Sequence, residues 1–252
     1  MSARRVDQVI CAAAQVWRDA GEVLATGIGL VPRLAASLAM RSCNPDLMMT
    51  DSEAWIVSEP VPVGPRGDYR IRAETWMGFS RIFSNVWGGR RHAMVGPTQI
   101  DRYGQANISC IGDYAAPKVQ MLGVRGFPGN SISHPNSFFV PAHSRRVFVE
   151  GEVDMVSSIG YNPARLPRGY ALDDIAIGRV ISNLGVFDFG GPAHQLRLLS
   201  LHDGASVDEV IAHTGFEVHI DGEPARTPAP TAQQLALLAE LDPADLRAKA
   251  LG

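Results

Sequence analysis

The segment EVLATGIGLVPRLAASLAMRSCNPDLMMT, residues 22–50, constrains the fold of this chain more than any other. A short run of β-forming residues (22–26) meets Gly27 and Gly29, a helical stretch follows through about Met40, and a second apolar run occupies 46–50. Strand, glycine turn, helix and strand make a βαβ unit, whose strands run parallel and whose crossover is right-handed. A sheet built this way is buried on both faces, so helices must cover it front and back. With 252 residues, 46% of them apolar and 19% charged, the chain can supply that cover as a globular fold.

The flanking segments fit this demand. Val6, Ile10, Ala13, Val16, Trp17 and Ala20 recur at helical spacing and Gly21 follows, which predicts an amphipathic helix over 6–20. Pro60, Pro62 and Pro65 force an irregular loop, and a helix is expected at about Thr75–Val86. From Ala93 onward the pattern turns to strands, at 93–96, 107–112, 137–142, 145–153, 177–187 and 196–201. SVDEVIAHTG, residues 206–215, reads as a helix with Ser206 as N-cap, Glu209 three residues on and Gly215 at its end. The expectation is an α/β fold, a mostly parallel open sheet flanked by helices, over residues 1–223. A proline-stiffened arm and terminal helix fill 224–252, with Leu235, Leu238 and Leu241 on one face that lies across either its own chain or a partner.

Several function classes are disfavoured. A net charge of −3 gives no basic field for nucleic acid. Cys11, Cys43 and Cys110 are odd in number, far apart and in no CxxC pair, which argues against a disulfide framework or zinc site and for a reducing cytoplasm. The histidines show no HxxxH or HExxH spacing, so no metal is expected. No run approaches the length of a membrane span, and Asp7 and Asp19 argue against reading the N-terminus as a targeting peptide. No GxSxG elbow marks a serine nucleophile.

Two places can carry chemistry. The run DLMMT breaks into Thr50, Asp51, Ser52 and Glu53 where a strand should end, and in open α/β sheets that end faces the ligand crevice. Thr50 and Glu53 also have capping-box spacing, but the following AWIVSEPVPVGP leaves room for little more than one helical turn. The second place is GVRGFPGNS, residues 123–131, whose glycines would let backbone approach a ligand or form a plain turn. Arg125 within it, and Arg90 and Arg91 after Gly88-Gly89, could pair with ligand phosphates or carboxylates or be surface charge.

Three stretches, GIGLVPRLAASLAMRSCNPDLMM, QIDRYGQANISCIGDYAAPKV and NLGVFDFGG with LRLLSLHDGASVDEVIAHTGFEV, together resemble the β subunits of family I coenzyme A transferases. The resemblance covers most of residues 22–218, and IDRYGQANISCIGDY and HDGASVDEVIAHTGF are its most specific parts. It implies an α/β fold, an active site between an α and a β subunit, and in the transferases a glutamate nucleophile just after the strand that matches DLMM. Here an ungapped match places Ser52 at that position, one inserted residue would bring Glu53 there, and Ala54 and Trp55 follow in place of glycine. The family's small-residue GxGG loop is here GVRGF.

Both departures point to the branch of the family that no longer transfers coenzyme A and is similar to the actinobacterial enzymes that open the last steroid ring in cholesterol catabolism. That resemblance implies hydrolytic carbon–carbon cleavage of a cyclohexenone-carboxyl thioester, with the essential glutamate on the α subunit. It also implies an α2β2 heterotetramer and an acyl-CoA substrate, with no cofactor beyond the coenzyme A of the substrate itself. On this reading Asp51, Ser52, Glu53, Asn107, Gly123, Arg125, Gly126 and Asn130 contact substrate. The alternative is a transferase β subunit with Glu53 as nucleophile.

Overall fold

The structure is a computed structural model, and it describes residues 4–51 and 54–251. The first helix, α1 (Arg5–Ala14), continues as a 3-10 turn through Trp17, so the helix expected over 6–20 stops three residues short of its apolar pattern. Strand β1 (Leu24–Gly27) then turns into α2 (Leu30–Arg41). Only glycine fits at position 27, because a Cβ there would stand 2.3 Å from the Pro32 carbonyl oxygen.

The expected parallel return strand is present but short. Met48 bridges Leu24 in parallel, with Ala25 N donating to Met48 O at 2.9 Å. The chain then leaves the main sheet as β2 (Met49–Asp51), which pairs antiparallel with β3 (Trp55–Val57), itself paired with β4 (Ala73–Trp76). Thr50 and Asp51 explain the departure: a strand end this polar cannot continue into a layer buried on both faces. Helix α3 (Gly78–Trp87) follows, so the helix expected at 75–86 begins three residues later than its pattern suggests.

The main sheet has seven strands. β5 (Arg91–Val95) pairs with β1 and with β10 (Asn136–Val140), and β10 pairs with β11 (Ile177–Ser182), all in parallel. Antiparallel β12 (Gly185–Asp188) and β13 (Arg197–Leu201) follow, and β14 (His219–Arg226) closes the edge parallel to β13. The sheet is therefore mostly parallel. One face carries Ala25, Met94, Phe139 and Ile181, which join α1 and α2 in one hydrophobic core. The opposite face carries Ala93, Val95, Phe138 and Val140 in a second core.

Between β5 and β10 the chain makes two small hairpins, β6 (Gln99–Ile100) with β7 (Ala106–Asn107) and β8 (Cys110–Ile111) with β9 (Val119–Gln120). The run 107–112 is thus two short strands, because the Asn107 side chain accepts from the backbone of Ser109 at 2.9 Å and turns the chain. The run 145–153 is not a strand: the amides of Val147 and Phe148 both donate to Ser144 O, and Phe148 makes only an isolated bridge to Ile100. Helix α4 (Phe127–Ser133) leads into β10. Helix α5 (Val207–His213) has the capping box expected of Ser206 and Glu209. In the C-terminal arm, α6 (Ala232–Leu241) buries Leu237, Leu238 and Leu241 in the core of α1 and α2, so the arm lies on its own chain. Arg247 fixes the segment beyond it, donating to Asp7 at 2.8 Å and Asp242 at 3.0 Å.

Candidate active site

From β1 the chain crosses to β2 on one side and later returns as β5 on the other, so the topology switches between β1 and β5. Ligands of open α/β sheets bind at such a switch, outside the carboxyl ends of the strands. A cavity of about 380 Å³ opens there, lined by Ile28, Gly29, Gly96, Pro97 and Phe139 and walled by Leu246 from the C-terminal segment.

Asp51 ends β2, on the side of β1 where the chain leaves the main sheet, and is 5% exposed. Arg33, from the first turn of α2, donates to it at 2.9 Å and also to Thr50 O at 3.2 Å. Arg66 donates from both terminal nitrogens at 2.8 Å. Among the described residues two guanidiniums thus meet on one carboxylate. Neither arginine was singled out in the sequence. The one signal for Arg33 is its place: a cation in the first turn of a helix opposes the dipole unless an anion holds it there.

Ser52 and Glu53 lie outside the described residues. Beyond them Trp55 stands opposite Asp51 in the hairpin and opposite Trp76 on the other side. Trp55–Val57 is a strand, so a capping box at Thr50 has no helix to cap.

The second group gathers around the glycine loop. Asn107 is fully buried, and its amide donates to Gln99 Oε1 at 2.7 Å and Cys110 O at 2.6 Å. With its oxygen taken by Ser109 N, Asn107 shapes the turn on which the loop rests. Gly123 closes against that turn: its N–H donates to Ile108 O at 3.1 Å, and a Cβ would stand 2.1 Å from Ile108 Cγ1. Arg125 is exposed at the end of a 3-10 turn, Gly123–Arg125. Gly126 caps α4, accepting from Asn130 N at 3.1 Å, and Asn130 O in turn accepts from the Asn136 side chain at 3.2 Å. The structure thus joins Asn107 to Gly123 and Gly126 to Asn130, while Asp51 stands on the small sheet. Helix α3 spans the two groups: Met77, just before it, donates to Ala54 O at 2.8 Å, and the helix packs on α4.

Helix α3 presents an apolar stripe to solvent. Phe79, Phe83 and Trp87, four residues apart, are 78%, 53% and 74% exposed, and Trp55 and Trp76 extend the patch toward the strand end. Aromatic area of this kind marks a contact surface. Among the described residues no group of three or more His, Cys, Asp or Glu could hold a metal, and no helix is long and apolar enough to cross a membrane. Burial pushes the Cys11 thiol up to about 12, away from reactivity.

No protein-family model matches the chain. The cholesterol ring-cleaving hydrolase IpdB subunit of Mycobacterium tuberculosis is 43% identical over 244 residues, 96% of each protein. The crystal structure of IpdAB from Rhodococcus jostii superposes with a TM-score of 0.91 at 40% identity, covering 100% of both chains. Glutaconate coenzyme A-transferase of Acidaminococcus fermentans superposes with a TM-score of 0.82 at 25% identity, covering 97% of both. The chain belongs to the IpdB subunit family, within the wider fold of the coenzyme A transferases.

Proposed function

We propose that this chain is the β subunit of a two-subunit hydrolase that opens the last ring of the steroid nucleus, carried as a cyclic β-keto acyl-CoA thioester, in cholesterol breakdown. The observation that carries the reading is the 43% identity to a ring-cleaving hydrolase subunit along 96% of the chain. A ring ketone β to a thioester is activated for this reaction. Water adds to the ketone carbon and a base takes its proton. The tetrahedral adduct then expels the neighbouring carbon as a carbanion delocalised into the thioester, and the base returns its proton to that carbon, leaving a carboxylic acid, ionised at neutral pH, where the ketone stood. The step needs a base and donors for two oxyanions, and no covalent nucleophile.

The β subunit's share is the wall of the cleft: the strand end around Asp51 with Arg33 and Arg66, the glycine loop from Gly123 to Gly126, and Asn130. The base is a glutamate of the α subunit, and the assembly is α2β2 in the cytoplasm, with coenzyme A entering only as part of the substrate. The uncovered aromatic stripe of α3, beside the cleft, supports a partner docked there.

Cleavage by the assembled enzyme in ¹⁸O water should place label in a new carboxylate of a ring-opened product that still carries coenzyme A. Label confined to the carboxylate of a ring-closed, CoA-free acid would overturn the reading. Borohydride reduction of a Glu53 thioester, located by peptide mass mapping, would move the chain to the transferases.

A further inference from the structure

Arg91 opens β5 on the sheet face turned away from α1 and α2, with its Cα opposite Leu24 of β1. Its Nε donates to Thr26 Oγ1 at 3.0 Å, and Thr26 pairs with Ala93, two residues further along. The half-buried side chain therefore leans up the sheet toward the carboxyl ends. Of the five N–H donors of a guanidinium, this contact uses one. Among the described residues the two terminal nitrogens have no hydrogen-bond partner.

A desolvated cation without a counter-ion is costly, and the fold elsewhere avoids it. Arg33 has Asp51, Arg197 has Asp188, and Arg247 has Asp7 and Asp242. Among the described residues no carboxylate pairs with Arg91, and burial lowers its pKa. The surroundings are short of partners as well. His134, close enough to feel the charge of Arg91, is held by Nδ1 on Pro135 O at 2.9 Å and has a buried, unpaired Nε2. Asn136, on the same sheet face, holds Asn130 O through its amide nitrogen, and its Oδ1 is buried and unpaired. The same Asn130 belongs to the helix that follows the glycine loop.

We infer that Arg91 is the carboxylate-binding residue of the cleft, its fork receiving a carboxylate on the acyl portion of the thioester. The inference rests on the reading that this cleft takes coenzyme A thioesters. A planar fork matches a carboxylate bidentately, and Thr26 fixes its plane from behind. The cleavage step itself creates a carboxylate from a neutral ketone, the kind of group for which a waiting cation without a counter-ion discriminates.

The test uses the assembled two-subunit enzyme and three probes: glutaryl-CoA, pentanoyl-CoA and coenzyme A alone. Arg91→Gln should weaken glutaryl-CoA by about tenfold or more while leaving the other two within about twofold, the loss expected of one charge-assisted pair. Thr26→Val, which keeps the charge but frees the fork, should give a smaller loss with the same selectivity. An equal loss for all three probes would mark Arg91 as a structural residue and overturn the inference. A loss shared by coenzyme A would place its phosphates on the fork and overturn it too. Should the wild-type assembly bind none of the probes, the thioester reading itself fails, which is a separate result.

Discussion

Asp51 shows how a carboxylate at the proposed cleft can be spoken for. It is a buried carboxylate at a strand end, but three contacts of 2.8–2.9 Å from Arg33 and Arg66 satisfy it. Its job is to hold α2 and the loop at Arg66 against β2. Asp51→Asn keeps the shape and removes the charge, leaving two guanidiniums facing each other. The cost should be about 2–3 kcal/mol, at the lower end for a buried pair because Arg66 is partly solvated. Urea unfolding would read it. Adding Arg33→Met to Asp51→Asn should return part of the loss, and strict additivity of the two would refute the pairing as the source.

At the scale of elements, local chemistry was legible and tertiary choice was not. The box of Ser206 and Glu209 names its helix because both partners lie within one turn, and Gly27 marks a turn that no side chain fits. The run 145–153 reads as a strand by its valines, yet Phe148 stacks on His143 at 3.8 Å instead, a contact between residues whose meeting depends on the finished fold. The Asp51 cluster was invisible for the same reason, since Arg33 and Arg66 come from separate elements. Helix α3 is the clearest case: its amphipathic spacing is plain, but nothing in the sequence says that the aromatic side faces outward. That orientation sets a prediction. Phe83→Ser with Trp87→Ser should leave the chain folded, since exposed positions shift stability by only about 0.5 kcal/mol each. The pair should abolish co-purification with the α subunit. Retained assembly would show that the stripe serves something else, and conversion of a β-chain homodimer to monomer would identify a second copy as its occupant.

For the whole molecule, buried histidines decide the response to acid. His143, stacked on Phe148 and hydrogen-bonded to Ser182 and Thr214, is pushed down by burial to about 3. Burial likewise brings His92, on Ser137, and His202, on the Ser182 carbonyl, down to about 4. All three sit at main-sheet strands or just beyond them. In the unfolded chain each protonates near 6.5, so between that value and the folded ones the unfolded state binds protons that the native state refuses. Their stabilisation is complete above pH 6.5 and is lost as pH falls, by about 2 kcal/mol each at pH 5. Asp101 acts in the opposite sense. Desolvation pushes it up to about 7 despite bonds from the Tyr103 and Gln105 amides, so the native state gains a proton first as pH falls below that value. Between pH 7 and 5 that returns about 2 kcal/mol, because Asp101 is already half protonated in the fold at pH 7, and sets a net loss of about 3 kcal/mol against the nearly 6 of the three histidines together. Denaturant unfolding at the two pH values should show this drop. Asp101→Asn removes the opposing group while keeping an oxygen for both amides, so the drop should widen toward about 6 kcal/mol, a large part of the stability of a domain. A variant whose stability changes with pH no more than the parent's would mean that Asp101 is ionised in the fold throughout, with its two amide bonds outweighing its burial.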